Sequence, residues 1–146
     1  LVMHSGRPVL FIPNAGNFAT FGKKVLVAWN GKRESARAAH DALPLLKRAD
    51  KVTVFWINPD DDGAAGDIPG ADLCTALARH GVRSEAATAS RPGRNAGETL
   101  LDRARETSAD LIVMGCYGHS RLKEFILGGV TRHVLEEMSI PVLMSH

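Results

Sequence analysis

The fold is decided by one stretch of the chain, Asp110-Leu-Ile-Val-Met-Gly115-Cys-Tyr-Gly118, followed after nine residues by Gly128-Gly-Val-Thr131. The apolar run before Gly115 predicts a buried strand of a parallel sheet. Beyond the glycines, apolar residues four apart predict a helix: Ile126, Val130 and Val134. Glycines at a strand end and again at a helix start let a backbone approach a phosphate and aim N–H groups at it. The stretch therefore predicts a strand–loop–helix unit typical of phosphate binding.

Strand and helix patterns alternate from Lys23 onward. Apolar or β-branched runs predict strands at residues 25–28, 52–57, 82–89, 110–114 and 142–144. Helical stripes lie between them at residues 34–47 and 73–80, at Ala96, Leu100 and Ala104, and at Val130 and Val134. Pro44 is expected to kink or shorten the first helix, Gly81 to end the second, and the polar segment 58–70 to form a loop. The alternation predicts an α/β fold, with an open, doubly wound, five-stranded parallel sheet and helices on both faces.

The glycine pattern resembles the nucleotide-binding signature of the universal stress protein family, Gly-x2-Gly-x9-Gly-Ser/Thr. Gly115, Gly118 and Gly128 occupy the three glycine positions, and Gly129 stands where the family's nucleotide binders carry Ser or Thr. The resemblance covers the expected domain, residues 23–146. It implies a Rossmann-like fold of the adenine nucleotide alpha hydrolase type, with strand order 3-2-1-4-5 counted from the strand at Val25. It also implies binding of an adenine nucleotide such as ATP or AMP, with or without Mg, in a regulatory stress-response role.

Ligands of open parallel sheets bind at the carboxyl ends of the strands, where the strand order reverses. With the implied order, this point lies between the strands that end at Asn30 and Gly115. The resemblance assigns nucleotide binding to Asn30, Gly115, Gly118, Gly128, Gly129 and Thr131. Further candidates around the same place are Ala28, Lys32, Val54, His119, Ser120 and Arg121.

Each assignment has a structural alternative. Asn30 stands where the family's nucleotide binders carry Asp, and Asn30-Gly31 is also a good turn pair. Glycine is required wherever a helix packs closely on a strand, and Thr131 suits an ordinary first helical turn. The polar residues after Gly118 either meet an anionic ligand or form a solvated helix start. The Val54 side chain is expected to lie in the core, with only its backbone facing an adenine.

The sequence contains no nucleophile–base arrangement and no Walker lysine motif, so no catalysis beyond weak ATP hydrolysis is considered. Its histidines show no metal-ligand spacing with cysteines or carboxylates, and no metal site is predicted. Cys116 lies between two glycines, where a small packing residue is expected; a redox sensor would need an exposed thiolate. The alternative function is a scaffold that dimerises and binds partners without nucleotide, which Asn30 and Gly129 favour.

Residues 1–22 are expected to form a terminal strand and a linker. Val9 to Ile12 repeats the pattern of Val142 to Met144, since a proline precedes both runs. This segment is either the end of a preceding domain of the same family, as in a tandem protein, or a native arm. Because exposed strand edges invite pairing, residues 8–12 are predicted to pair with residues 141–145, within one chain or between two. Homodimerisation or tandem-domain pairing through the final strand is expected.

Composition limits the function classes. The chain has 18 Lys plus Arg against 16 Asp plus Glu, a formal net charge of +2 that does not favour nucleic acid or an anionic membrane as a partner. Its 146 residues, 45% of them hydrophobic, suit one domain with a full core. No apolar run approaches the roughly 20 residues of a membrane span. Two cysteines make no disulfide framework, so a reducing cytoplasm is expected.

Overall fold

A computed structural model of the chain describes residues 2–58, 69–90, 95–116 and 129–146. Within these ranges the elements are, in chain order, α1 (Val2–Ser5), β1 (Val9–Phe11), β2 (Lys24–Trp29), α2 (Arg33–Asp41), α3 (Leu43–Leu46), β3 (Lys51–Asn58), α4 (Ala71–Arg79), β4 (Glu85–Ser90), α5 (Ala96–Glu106), β5 (Leu111–Gly115), α6 (Gly129–Glu137) and β6 (Val142–Ser145). Most of the predicted loop at 58–70 lies outside the described residues.

The strands form one sheet in the order β1-β6-β5-β2-β3-β4. From β4 to β6 all neighbouring strands are parallel, and β1 is antiparallel to β6. Counted from β2, the order is the predicted 3-2-1-4-5, so the doubly wound α/β topology is confirmed. The five predicted parallel strands are present, and β1, predicted to pair with the final strand, adds a sixth at the edge of β6.

Side chains of the central strands alternate between two hydrophobic cores. Val25 and Val27 face a core that includes α2, α3 and α4, whereas Leu26 faces a core that includes Leu100 of α5 and Val134 of α6. Because helices cover both faces, the middle strands are buried on both sides, and they read as continuous apolar runs. Among the helices of the described ranges, none combines the length and apolarity that a bilayer crossing requires.

Proline and glycine set two of the element boundaries. The helix predicted at residues 34–47 is split into α2 and α3, because Pro44 has no N–H to donate to the carbonyl of His40. Gly81, with a φ of 82°, follows the end of α4 as predicted. The strand predicted from Val82 begins three residues later, at the start of β4, because the Val82 N–H donates to the Leu77 carbonyl at 3.0 Å and so belongs to the end of α4.

The N-terminal segment forms the outer edge of the sheet. The paired residues of β1 and β6 are Val9 with Met144, Leu10 with Leu143, and Phe11 with Val142. The predicted pairing of residues 8–12 with residues 141–145 is therefore confirmed for these three pairs, and it occurs within one chain. The main-chain groups of β6 are thereby hydrogen-bonded on both sides, to β5 and to β1.

Deleting residues 1–13 is expected to make the protein self-associate. The truncation leaves the polar main-chain groups of one β6 edge unpaired, and it removes Val2 and Phe11 from the second core. Sedimentation velocity over a range of concentrations would measure the association. Arg37→Ala is a matched control, because it removes only side-chain contacts, including the 3.1 Å hydrogen bond to the Gly6 carbonyl, and keeps β1 in place. A truncated protein with the size and solubility of the full chain would contradict this edge-protecting role.

Candidate functional site

The strand order reverses between β2 and β5. These two strands are parallel neighbours, in register from Val25–Leu111 to Val27–Val113. The chain continues from β2 to β3 on one side, and from β5 to β6 on the other. The helix after β2 covers one face and α6 covers the other, so the two connections diverge, and it is in the crevice outside the carboxyl ends at such a point that open parallel sheets bind ligands. We call this place, between Asn30 and Gly115, the switch-point crevice.

Asn30 organises the turn that leads from β2 into α2. Its Oδ1 accepts hydrogen bonds from the Lys32 N–H at 3.0 Å and from the Ser35 hydroxyl at 2.7 Å. Ser35 Oγ also lies 2.8 Å from the Lys32 carbonyl oxygen. Lys32 is the N-cap of α2, but its side chain makes no capping hydrogen bond. The Asn30 side chain therefore stabilises the start of α2 from outside the helix, as an Asx turn does.

Gly115, the last residue of β5, packs directly on the first turn of α2. A Cβ atom at this position would lie 2.5 Å from the carbonyl carbon of Glu34 and 2.6 Å from the backbone nitrogen of Ser35. Real Cβ atoms essentially never approach backbone so closely. Close packing of α2 on β5 is one of the two alternative roles of Gly115. This packing alone is enough to require a glycine here.

Gly129 and Thr131 lie in the first turn of α6. The helix connects two parallel strands, so it runs back across the sheet and begins at the carboxyl edge. A Cβ atom at Gly129 would meet no described atom within 4 Å, and the residue is exposed. Thr131 is 4% exposed and faces the protein. No described atom therefore fills the space beside Gly129, at the first described turn of α6, and the N-terminal N–H groups of a helix favour anions.

The remaining candidates are distributed as follows. Val54 is fully buried in the first core, as predicted for its side chain. Ala28 is half-buried against the second core, and Lys32 is exposed. Five candidates lie at 117–128, outside the described residues: Gly118, His119, Ser120, Arg121 and Gly128. The site residues that the structure does describe come from the ends of β2 and β5 and the start of α6.

Sequence reasoning missed Glu34, whose carboxylate stands in the first turn of α2. An oxygen of this carboxylate lies 3.2 Å from the Arg33 guanidinium. Burial opposes its charge, but hydrogen bonds from its backbone N–H and from Arg33, with attraction to Arg33 and His146, lower the pKa of Glu34 below its usual value. An ionised Glu34 disfavours a phosphate beside α2, and it favours the α6 side of the crevice for one. The sequence signal that could have pointed to Glu34 is its position four residues after the candidate Asn30.

Cys116 is a packing residue. It is fully buried, and its N–H donates to the Ser145 carbonyl at 2.9 Å. A ring nitrogen of His146 lies 3.0 Å from the Cys116 carbonyl oxygen. Burial, reinforced by the nearby Glu34 carboxylate, raises the pKa of the Cys116 thiol to about 11. The thiol is therefore protonated at neutral pH, which is the opposite of what a thiolate redox sensor requires.

Metal-ligating side chains do not converge in the described part of the chain. No group of three or more His, Cys, Asp or Glu side chains there is arranged to hold a metal ion.

Known proteins resemble this chain along most of its length. A sequence profile described as the universal stress protein family matches residues 22–146. The chain belongs to the universal stress protein family. A universal stress protein of Synechocystis sp. is 39% identical over 49 residues, which are 34% of this chain and 17% of that relative. This universal stress protein therefore aligns with only a minor part of that curated relative.

Solved structures of universal stress proteins share the fold. One from Archaeoglobus fulgidus DSM 4304 superposes with a TM-score of 0.74 at 21% identity, covering 97% of this chain and 50% of that one. An Archaeoglobus fulgidus universal stress protein in complex with dAMP has a TM-score of 0.62 at 22% identity, covering 83% of this chain and 95% of that one. At these identities the likeness establishes the fold, and this universal stress protein spans half the length of the first structure.

Proposed function

We propose that this universal stress protein binds an adenine nucleotide, ATP or AMP, in the switch-point crevice, and acts as a regulatory module of the stress response in the cytoplasm. The observation that carries the proposal is the reversal of strand order between β2 and β5, with divergent connections on either side. A family member of the same fold was solved with dAMP. The site draws on Asn30 at one side and on the segment from Gly115 to Thr131 at the other.

The phosphates would lie on the α6 side of the crevice. Gly129 is exposed, with no described atom within 4 Å of an added Cβ. The ionised Glu34 disfavours the α2 side. Gly118 and Gly128 would let the backbone come close, and His119, Ser120 or Arg121 would supply polar and cationic groups. Magnesium would be held through the phosphates.

The nucleoside would lie on the β2–β3 side of the crevice. Asn30 is exposed at the end of β2, and it offers hydrogen-bonding groups for a ribose. Lys32 stands in the same turn. Ala28 and Val54 would contribute main-chain groups, because the Val54 side chain is buried in the core.

Isothermal titration with ATP, ADP and AMP, each with and without Mg, tests the proposal. We expect saturable binding of at least one nucleotide, and loss of binding in Gly118→Val, because the added side chain would fill space that a phosphate needs. A folded Gly118→Val protein with unchanged affinity would remove this pocket. If none of the three nucleotides binds at millimolar concentration, the nucleotide function itself is wrong.

A second candidate function is a scaffold of the same fold that dimerises or binds partners without nucleotide. This function is supported by the contacts of Asn30, because its Oδ1 already accepts two hydrogen bonds from the start of α2, at 3.0 and 2.7 Å. Gly129 also lacks the hydroxyl of the family signature. For this candidate we expect a stable dimer in the absence of nucleotide, and no change in its dissociation constant when ATP is added.

We also propose that β1 is the last strand of a preceding domain of the same family, as in a tandem protein. Its three residues pair antiparallel with the final strand. The first solved structure is a chain about twice as long, of which this chain covers 50%. These two observations support the arrangement, and a dimer through the same edge is the alternative.

A further inference from the structure

The two tryptophans of the chain stand side by side at the carboxyl edge of the sheet. Trp29 ends β2, and its partner in the parallel register is Trp56 of β3. Both are half-buried, whereas the residues two positions earlier on the same face, Val27 and Val54, are 0% exposed. The tryptophan pair therefore marks the point where this face of the sheet emerges from the core.

A glycine accompanies each indole ring. Gly31, in the turn before α2, has a φ of 69°, and a Cβ there would lie 3.6 Å from Cζ3 of Trp56. Gly70, the N-cap of α4, has a φ of 91°, and a Cβ there would lie 2.9 Å from Cγ1 of Val54 and 3.6 Å from Cδ1 of Trp29. Neither glycine carries a side chain that could cover the neighbouring ring. The positive φ angles of both turns are ones that glycine adopts without strain.

Placement links the pair to the switch-point crevice. Trp29 precedes Asn30 directly, on the strand that borders the crevice, and Trp56 lies one strand farther from β5. Aliphatic side chains would suffice for core packing alone, as Val27 and Val54 do two positions earlier on the same strands. Indole rings that keep part of their surface in solvent offer flat π faces, on which a nucleobase stacks.

We propose that Trp29 and Trp56 form the stacking surface for the base of the bound nucleotide, and that they select purines over pyrimidines. The inference rests on the proposed nucleotide binding and adds the residues that determine base preference. A purine covers more of an indole face than a pyrimidine does, so its complex is favoured. The two indoles lie on the face that α2 and α4 cover, whereas α6 covers the opposite face. The nucleotide would therefore pass around the carboxyl edge of the sheet at Asn30 to place its base on β2 and β3 and its phosphates beside α6.

Intrinsic fluorescence tests this inference, because the proposed pair comprises both tryptophans of the chain and all tryptophan emission therefore comes from it. Titration with AMP is expected to quench the emission, and UMP is expected to bind about tenfold more weakly than AMP. Trp56→Leu should lower the AMP affinity about tenfold, measured by isothermal titration, and should remove most of the preference over UMP. Trp56→Phe is the matched control, since it keeps an aromatic face and should retain most of the affinity. Trp56 is the better target, because Trp29 also packs against the first core.

Two results would overturn the inference, and they are distinguishable. If AMP binds calorimetrically, but emission is unchanged and Trp56→Leu retains affinity and base preference, the base lies elsewhere and the nucleotide function stands. If neither AMP nor UMP binds, the proposed function fails and this inference falls with it. Should Trp56→Leu not fold, equal affinity of the native protein for AMP and UMP, with unchanged emission, is enough to reject the stacking surface.

Discussion

Replacing Gly115 with alanine is expected to lower the free energy of unfolding by about 3 kcal/mol, at the upper end of overpacking costs. The added Cβ would lie 2.5 Å from the Glu34 carbonyl carbon and 2.6 Å from the Ser35 nitrogen. Both are backbone atoms in the first turn of α2, so no side-chain rotation can relieve the contact. Either the helix moves away from the sheet or β5 is displaced, and both changes disturb buried packing.

Gly129→Ala is the matched control for this prediction. It also replaces a glycine with alanine, but at the far end of the glycine motif. No described atom there lies within 4 Å of the new Cβ. Alanine is a better helix former than glycine, so the variant should be unchanged or up to about 1 kcal/mol more stable. Urea unfolding followed by circular dichroism would measure both variants. Equal midpoints for the two variants would show that the close contact at Gly115 carries no energetic weight.

The alternation of strands and helices, and with it the α/β class, was predictable because it depends on local patterns, whereas the strand order 3-2-1-4-5 was implied by the resemblance to the family. The apolar run of β5 and the apolar helix faces between the strands were each predicted from a single segment of sequence. Parallel strands that are joined by helices then restrict the possible strand orders of the sheet. The boundaries of helices and strands were harder to predict from the sequence. Pro44 was expected to kink or shorten the helix, and the structure divides it into α2 and α3. The later start of β4 depends on the hydrogen bond from the Val82 N–H to the Leu77 carbonyl at the end of α4.

The chemistry of the site was only partly predictable, because different roles require the same residue type. A glycine at 115 suits a phosphate and equally suits close helix packing. Only the assembled sheet brings the first turn of α2 against it. The Asn30-Gly31 pair indicated a turn, but the hydrogen bond from Ser35 to Asn30 belongs to no short motif. Glu34 acquires its role from Arg33 and from His146 at the far end of the chain.

The double variant Asn30→Asp with Gly129→Ser is expected to raise the ATP affinity by about one to two decades. The hydroxyl that Gly129→Ser introduces would have room, since no described atom occupies the space beside Gly129. One hydrogen bond to a charged phosphate is worth about 1.5–3 kcal/mol, or about one to two decades in affinity. The Asn30→Asp change keeps acceptor oxygens for the Lys32 N–H and the Ser35 hydroxyl, and it adds a stronger acceptor for a ribose.

The single variants separate the two contributions. Gly129→Ala adds the Cβ without the hydroxyl, so it should leave the ATP affinity near that of the native protein, while Gly129→Ser accounts for most of the gain. Asn30→Asp places a second carboxylate near Glu34, which limits its own benefit, because two like charges at one helix start repel each other. If Gly129→Ser and Gly129→Ala bind ATP equally, the phosphates do not lie at the first turn of α6. If the native protein already binds ATP at low micromolar concentration, Asn30 and Gly129 suffice for binding, and the scaffold function loses its main support.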